Sequence, residues 1–337
     1  MFHEVLMIRT IEEEDKIVRW VFAEIISYLR RDHGRTWFRY NPGHMKVHKI
    51  LYEAFESAEV PVTRSWYRYG CFIHSNQLAG FRNFSTLKSN YLRGGLEHPR
   101  LESTVERMGF NVDSIKKVLH ETIDKMPPRM RKYVRTLYEN APEEFGDIYI
   151  TKLDLHNTLR RSKKVDFQNP AKFQSWLSKV RRNLSMFHMS AFSHSQFDDL
   201  KEIVLDFSSN VEEALLRIEQ LIRHSKRIST RRKVLIHDFS GFFDDQVWLP
   251  FAFEISARTV KGFREAQIRD QQLRKKKERI EESANLLKRQ YTVLARNDLV
   301  MSWGQYRDRM EQLEKDEKLA KAIAEMEKIY DRSTEDE

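Results

Sequence analysis

The chain has 337 residues, with 11 glycines, 8 prolines and a formal net charge of +9. This length allows two or three folding units, and the scarcity of glycine and proline predicts many helices. The single cysteine, Cys71, excludes an internal disulfide and fits a reducing compartment. Acids interrupt the N-terminus where a signal peptide needs an apolar core, and no uncharged stretch could span a bilayer. We therefore expect a cytoplasmic protein that does not enter the membrane.

The first hundred residues predict two helices followed by an aromatic segment. Thr10 and Glu13 form a capping box ahead of an apolar stripe, and a second amphipathic helix follows. The aromatic stretch Trp66–Ile73, interrupted by Gly70, predicts a short strand or a wing. We expect residues 1–105 to form an N-terminal helical domain that contains this winged element.

The middle of the chain predicts further helices. Ile148–Ile150 is a candidate strand, because it is a short β-branched and aromatic run. Asn169 and Pro170 open a helix with a strongly periodic apolar stripe, and Ser209 is predicted to cap another helix. We expect residues 106–255 to form a basic helical middle domain.

The last part of the chain predicts a long charged helix. No glycine or proline occurs between Phe263 and Trp303, and four aliphatic residues follow one another at intervals of seven. A seven-residue repeat places such side chains on one narrow seam, which needs a second helix from this chain or from a partner. We expect residues 256–337 to form a coiled-coil arm. The predicted partner-binding residues are Leu273, Ile280, Leu287 and Leu294.

The charges of this arm leave three arrangements open. From Arg258 to Arg296 the chain has twelve Lys or Arg against five Asp or Glu, whereas Arg307–Glu337 has seven against eleven. A bend at Trp303-Gly304 would let the acidic part fold back on the basic part as a helical hairpin. Two rods could instead pair head to tail. The third arrangement is a solvated helix whose seam docks on its own domain.

A basic region in the middle of the chain is the first candidate binding site. It contains eight Lys or Arg and a single acid, Asp166. The cations on the helix from Pro170 are expected to lie away from its apolar stripe, where they can contact phosphates. The predicted nucleic-acid-binding residues of this region are Arg160, Arg161, Lys163, Lys164, Lys172, Lys179, Arg181 and Arg182.

A second basic cluster follows the next helix, around Arg223–Lys233. Its cations could extend the same nucleic-acid surface, or they could simply complement the dipole at a helix C-terminus. Further predicted nucleic-acid-binding residues are Arg223, Lys226, Arg227, Arg231 and Arg232.

The sequence gives no catalytic motif, and we predict no catalytic residue, metal site or cofactor. His44 and His48 share the spacing of two ligands on one helical face, but they fit no standard zinc pattern. A restriction-type nuclease needs a carboxylate followed, across a short strand, by a second acid and a lysine. Asp147 precedes the candidate strand, but Thr151 and Lys152 follow without that second acid. Phosphate-binding glycine loops and nucleophile elbows are also missing from the sequence.

The segment 46–71 resembles the opening of the Panacea (SocA-like) antitoxin domain and of related archaeal proteins of winged-helix type. The resemblance implies a module for protein recognition or regulation rather than an enzyme. Cys71 stands where that family has proline. The residues that carry the resemblance are Lys46, Lys49, Ile50, Leu51, Tyr52, Pro61, Trp66, Tyr69 and Gly70.

These observations predict a mainly α, multi-domain protein with a winged-helix-like element and a coiled-coil arm. The leading hypothesis is a non-enzymatic binding or regulatory protein that engages DNA or RNA through its basic patches. The arm would then contact a protein partner or a second copy. The alternatives are a structural or assembly subunit without nucleic-acid binding and, third, a metal-dependent nuclease or toxin.

Overall fold

The computed structural model describes residues 8–32, 44–75, 78, 98–126, 130–224, 226–301 and 305, and it is mainly α as predicted. Within these residues the strands form one antiparallel hairpin, β1 (Arg64–Tyr67) and β2 (Gly70–Ile73). The helices are α1 (Ile11–Asp32), α2 (His44–Ser57), α3 (His98–Arg107), α4 (Val112–Lys125), α5 (Met130–Glu139), α6 (Gly146–Arg160), α7 (Pro170–Phe192), α8 (Lys201–Arg223), α9 (Thr230–Phe242), α10 (Trp248–Thr259) and α11 (Glu265–Arg296).

Helices α1 to α4 surround a first hydrophobic core. The predicted capping box begins α1: the Thr10 hydroxyl accepts a hydrogen bond from the Glu13 amide, and the Glu13 carboxylate accepts one from the Thr10 amide, both at 3.1 Å. The apolar stripe of α1 is fully buried against α3 and α4. Burial of this stripe, more than helix propensity, stabilises a helix of this kind.

The hairpin lies between the first core and a second one. Ile73 belongs to the first core, whereas Trp66 and Cys71 belong to the second. Gly70 has a φ of +94°, which a residue with a side chain rarely adopts, and it closes the two-residue turn after Tyr67. The strand predicted at Trp66–Ile73 is therefore present as a hairpin.

Helices α5 to α11 form the second core. The Asn169 side chain accepts a hydrogen bond from the Lys172 amide at 3.1 Å, so the predicted start of α7 is confirmed. Two other predictions are wrong. Ile148–Ile150 lies in α6, since a short apolar run cannot be assigned to strand or helix by its pattern alone. Ser209 lies inside α8, because the buried stripe of that helix already begins before it.

A π-helical turn, Phe243–Val247, joins α9 to α10 without interrupting the helix. Such turns insert one extra residue into an α-helix, change the direction of the side chains around them and are frequent at functional sites. Here the turn contains Asp244, whose side chain is buried. Helix α10 is the apolar segment that precedes the long charged helix, and most of its side chains are buried.

The long predicted helix is present as α11, but its seam docks on its own chain. Leu287 and Leu294 are each 1% exposed and belong to the second core, and Ile280 packs partly against it. Leu273 is 42% exposed. The helices that cover the seam are thus α10 and α8 of the same chain. The predicted bend and the acidic segment after it lie outside the described residues.

The two cores do not coincide with the predicted domains. The first core extends to Met126, past the predicted division at 105/106. The second core includes side chains on both sides of the division at 255/256, because α11 packs along α10. No helix among the described residues combines the length and apolarity needed to cross a membrane.

Candidate nucleic-acid interface

Six of the predicted nucleic-acid-binding residues line one open groove of about 1250 Å³ on the second core, which we call the basic groove. Its basic wall consists of the last turn of α6, the 3-10 turn Arg161–Lys164 and the first turns of α7. Because α6 and α7 pack side by side, their adjoining ends bring cations from separate parts of the sequence together. The six are Arg160, Arg161, Lys163, Lys164, Lys172 and Lys179.

The cations of the basic groove remain available to a ligand. All six are exposed, and none forms an ion pair with a carboxylate in the part of the chain that the structure describes. Asp166 is the acid on this wall, and its carboxylate accepts a hydrogen bond from the Gln168 amide at 3.0 Å. A concave surface lined by charges of one sign concentrates ions of the opposite sign.

The start of α7 adds to this positive field. Ala171, Lys172 and Ser175 line the groove, and the first turn of the helix carries no acidic residue. The N-terminus of a helix bears a partial positive charge from the aligned peptide dipoles. Phosphate groups are therefore favoured at this end of the groove for two reasons, the side-chain charges and the helix dipole.

The other predicted cations lie outside this groove, and several hold the fold together. Arg181 and Arg223 both approach the buried carboxylate of Glu219, with Arg181 at 3.7 Å. Arg232 binds the carboxylate of Asp298 at 3.0 Å and so fastens the end of α11 to the start of α9. Arg182, Lys226, Arg227 and Arg231 are exposed.

A buried ion pair forms the floor of the groove. Lys152 Nζ lies 2.8 Å from Asp244 Oδ1, and the Arg68 guanidinium and the Tyr69 hydroxyl each donate to Asp244 Oδ2 at 2.8 Å. Burial alone would raise the pKa of Asp244, but Lys152 and Arg68 hold it well below its usual range. Burial lowers the pKa of Lys152, and the adjacent Asp244 opposes that shift. The floor is thus a compensated charge cluster.

Nothing in the sequence marks Lys152 or Asp244 as a residue of this groove. They come from α6 and from the π-helical turn, and no local motif links the two segments. In the sequence, Asp244 looks like an ordinary exposed acid of a helix. Only the fold shows that it is buried beside two cations. A buried charge needs such partners, because desolvation without compensation costs several kcal/mol.

Between the floor and the basic wall, the groove is lined by apolar and aromatic side chains. Tyr69 is 40% exposed at the hairpin turn, where Lys152 Nζ lies 5.1 Å from the centre of its ring. Trp176 is held by a hydrogen bond from its Nε1 to the Thr158 carbonyl at 2.8 Å. His156 is half-buried, its Nδ1 has no hydrogen-bond partner, and burial lowers its pKa. The remaining apolar wall residues are Val134, Tyr138, Leu153, Val165 and Ala171.

The arrangement that a restriction-type nuclease needs is not formed around Asp147. The segment after Asp147 is helical, so no strand sets a second acid and a lysine across from it. The His48 ring is buried, and its Nδ1 accepts a hydrogen bond from the Ile73 amide at 3.1 Å. The side chain of His44 lies outside the described residues. Among the residues that are described, no three His, Cys, Asp or Glu side chains are grouped as metal ligands.

Comparison with known protein families gives a match. A family model described as "Domain of unknown function (DUF8098)" matches residues 97–328. The matched range includes the whole basic wall of the groove but neither the segment 46–71 nor the hairpin Arg64–Ile73. No curated protein and no solved structure matches the chain.

Proposed function

The chain belongs to the DUF8098 family, and we propose that it is a non-enzymatic protein that binds nucleic acid in its basic groove. The observation that carries the proposal is the set of six exposed cations on one concave wall without carboxylate partners in the described structure. Cations used only for stability are normally paired within the fold, as Arg232 is with Asp298. Unpaired cations around a cavity are instead suited to phosphates.

Spacing and chemistry favour a polyanion over a single small anion. The six cations are distributed along the wall from the last turn of α6 to Lys179 in α7, and all six side chains are exposed. A phosphodiester chain presents one charge at each nucleotide and can contact such a row of cations in succession. Each phosphate contact releases counterions, so we expect the affinity to fall steeply with salt.

The experiment is fluorescence anisotropy of the purified, nuclease-treated protein with labelled RNA and DNA at low and moderate salt. A triple variant, Lys163→Glu/Lys164→Glu/Lys172→Glu, reverses three cations of the groove. The matched control, Lys226→Glu/Arg227→Glu/Arg231→Glu, reverses three exposed cations of the second cluster and changes the net charge equally. We expect the first variant to abolish most binding and to lower the salt slope by about 2 to 3.

Two outcomes would contradict the proposal. If wild type does not bind any nucleic acid at low salt, the cations serve another purpose. If both triple variants weaken binding equally, net charge rather than the groove attracts the ligand. The control also tests the second basic cluster, since a larger effect there would move the interface to the start of α9.

The assembly-subunit alternative has less support from the described contacts. Its central feature was an apolar seam free to bind a partner, but Leu287 and Leu294 are buried against the same chain. The exposed Leu273 is a single aliphatic residue on a charged part of α11. Isolated exposed apolar residues are normal on protein surfaces and do not by themselves indicate an interface.

A further inference from the structure

We infer that the basic groove takes a single strand rather than a duplex, with its phosphates along the cationic wall and a nucleobase at the inner end beside Tyr69 and His156. This inference rests on the proposed function and names the class of nucleic acid. It depends on how polar and apolar residues are distributed across the groove, a property that net charge does not reveal.

The first observation is that the side chains change from charged to apolar between the basic wall and the deeper part of the groove. The exposed cations form the outer wall, whereas the surfaces deeper in the groove come from Val134, Tyr138, Leu153 and Trp176. A ligand that consisted only of phosphates could not make favourable contacts with these apolar side chains. A single strand carries charge on its backbone and flat apolar faces on its bases, which is the same pairing of properties.

The second observation is the shape of the site. Proteins that read a duplex usually insert a helix or a strand pair into one of its grooves, so their basic residues lie on a projecting element. Here the cations surround a concavity. Its volume of about 1250 Å³ exceeds the roughly 300–1,000 Å³ of sites for drug-sized ligands. A short stretch of single strand is therefore better matched than one mononucleotide.

The third observation concerns the inner end of the groove. Tyr69 is exposed and fixed in place: its hydroxyl donates to Asp244, and its backbone carbonyl accepts from Lys49 at 2.9 Å. Arg68 Cζ and Lys152 Nζ each lie 5.1 Å from its ring centre. A ring that its neighbours hold still loses little entropy when a base packs against it.

His156 adds a second ring to the lining of the groove. It projects from α6 one turn after Lys152, and the half-buried ring lines the groove, whereas its Nδ1 is enclosed within the protein. Lys152 and Arg160 lie near enough to disfavour a charge on the imidazole, after burial itself. An uncharged histidine ring is one of the flat side chains on which unstacked bases pack.

The test uses four labelled or competing probes with the full-length protein: a single strand of about ten nucleotides, the same backbone without bases, a duplex of equal length, and inorganic polyphosphate. We expect the base-bearing strand to bind about tenfold more tightly than the abasic strand. The duplex should bind no better than the abasic strand. These comparisons need only wild-type protein, so they do not depend on any variant that fails to fold.

Two variants then locate the base. Tyr69→Ala should remove most of the difference between the base-bearing and abasic strands, whereas Tyr69→Phe, which keeps the ring, should retain it. The salt slope should be unchanged in both, because neither variant removes a phosphate contact. His156→Ala should reduce the same difference with the same unchanged slope.

The outcomes separate this inference from the proposed function. If abasic strand or polyphosphate binds as tightly as the base-bearing strand, or if the duplex binds best, the single-strand inference is overturned while the groove remains a phosphate-binding surface. If no probe binds in a salt-dependent way, the proposed function itself fails. Polyglutamate serves as a fifth probe, and tighter competition by this acidic peptide than by the strand would overturn both.

Discussion

The carboxylate of Glu14 and the guanidinium of Arg264 form a buried ion pair between the first helix and the segment just before α11, with Arg264 Nε 2.6 Å from Glu14 Oε2. Glu14 is fully buried, and its other oxygen accepts the Thr63 amide. Arg264 also donates to the His74 carbonyl. One ion pair thus connects α1, the approach to the hairpin and the segment that leads into α11.

Removal of Arg264 should destabilise the protein strongly. Arg264→Met leaves the carboxylate of Glu14 buried without its cation, which costs about 3 to 5 kcal/mol in comparable cases. The control is Lys16→Met, which breaks an exposed pair with Glu12 on the same helix and should change the stability far less, because solvent screens such a pair. Urea denaturation followed by circular dichroism measures both. Equal losses in the two variants would show that the buried pair has no special role.

His74 should make the stability depend on pH. Burial, with Arg264 and Lys275, lowers its pKa to about 3, whereas an unfolded histidine titrates near 6.5. The unfolded state therefore takes up a proton that the folded state refuses, and stability falls as the pH drops from about 6.5 towards 3. The slope for one such group is up to about 1.4 kcal/mol per pH unit.

The variant that tests this is His74→Gln, since glutamine does not titrate and can still bond to the Ser65 hydroxyl, which now lies 2.7 Å from His74 Nε2. The free energy of unfolding is measured in urea from pH 7.5 to pH 5. Wild type should lose more stability than the variant over this interval. If the stability of wild type and variant changed in parallel with pH, His74 would take up its proton as readily in the folded protein as in the unfolded chain.

The long helix offers a paired test of intramolecular docking. Leu287→Ala should lower the free energy of unfolding by about 2 to 5 kcal/mol, because it opens a cavity in the second core. Leu273→Ala, on the exposed part of the same seam, should change it by less than about 0.5 kcal/mol. Thermal unfolding checks stability, and light scattering after gel filtration checks mass. A change of oligomeric state in Leu273→Ala would restore the partner-binding role of the seam.

Two glycines should respond to alanine in opposite directions. At Gly70 a Cβ would lie 2.9 Å from the Leu137 side chain, and the φ of +94° is itself unfavourable for alanine, so Gly70→Ala should destabilise. At Gly241, in α9, nothing lies within 4 Å of an added Cβ, and helix propensity favours alanine there by up to about 1 kcal/mol. Melting temperatures of the two variants, each against wild type, provide the comparison. A higher melting temperature for both variants would show that the hairpin turn can change its backbone conformation to accept the Cβ at position 70.

The basic wall of the groove was visible in the sequence, but its floor was not. Asp166 alone opposes eight cations between Arg160 and Arg182, and so many charged side chains must stay at the surface even though the apolar residues among them are buried. The sequence could not show which of those eight cations line the groove and which lie close to an acid of another helix. Arg181 lies close to Glu219, a residue from another helix, and only the packing of α7 on α8 brings the two together.

The local pattern of the sequence determined where most helices begin, which faces they bury and that the protein is mainly α. Capping residues and apolar periodicity act within a few residues, so the Thr10 capping box and the Asn169 cap could be inferred directly. Only the tertiary structure decided what each surface contacts. In the folded chain Ile148–Ile150 is helical, the seam of α11 is buried against α10 and α8, and Asp244 lies beside Lys152. These outcomes depend on contacts between distant segments, whose free energies exceed local propensities and leave no mark on either segment alone.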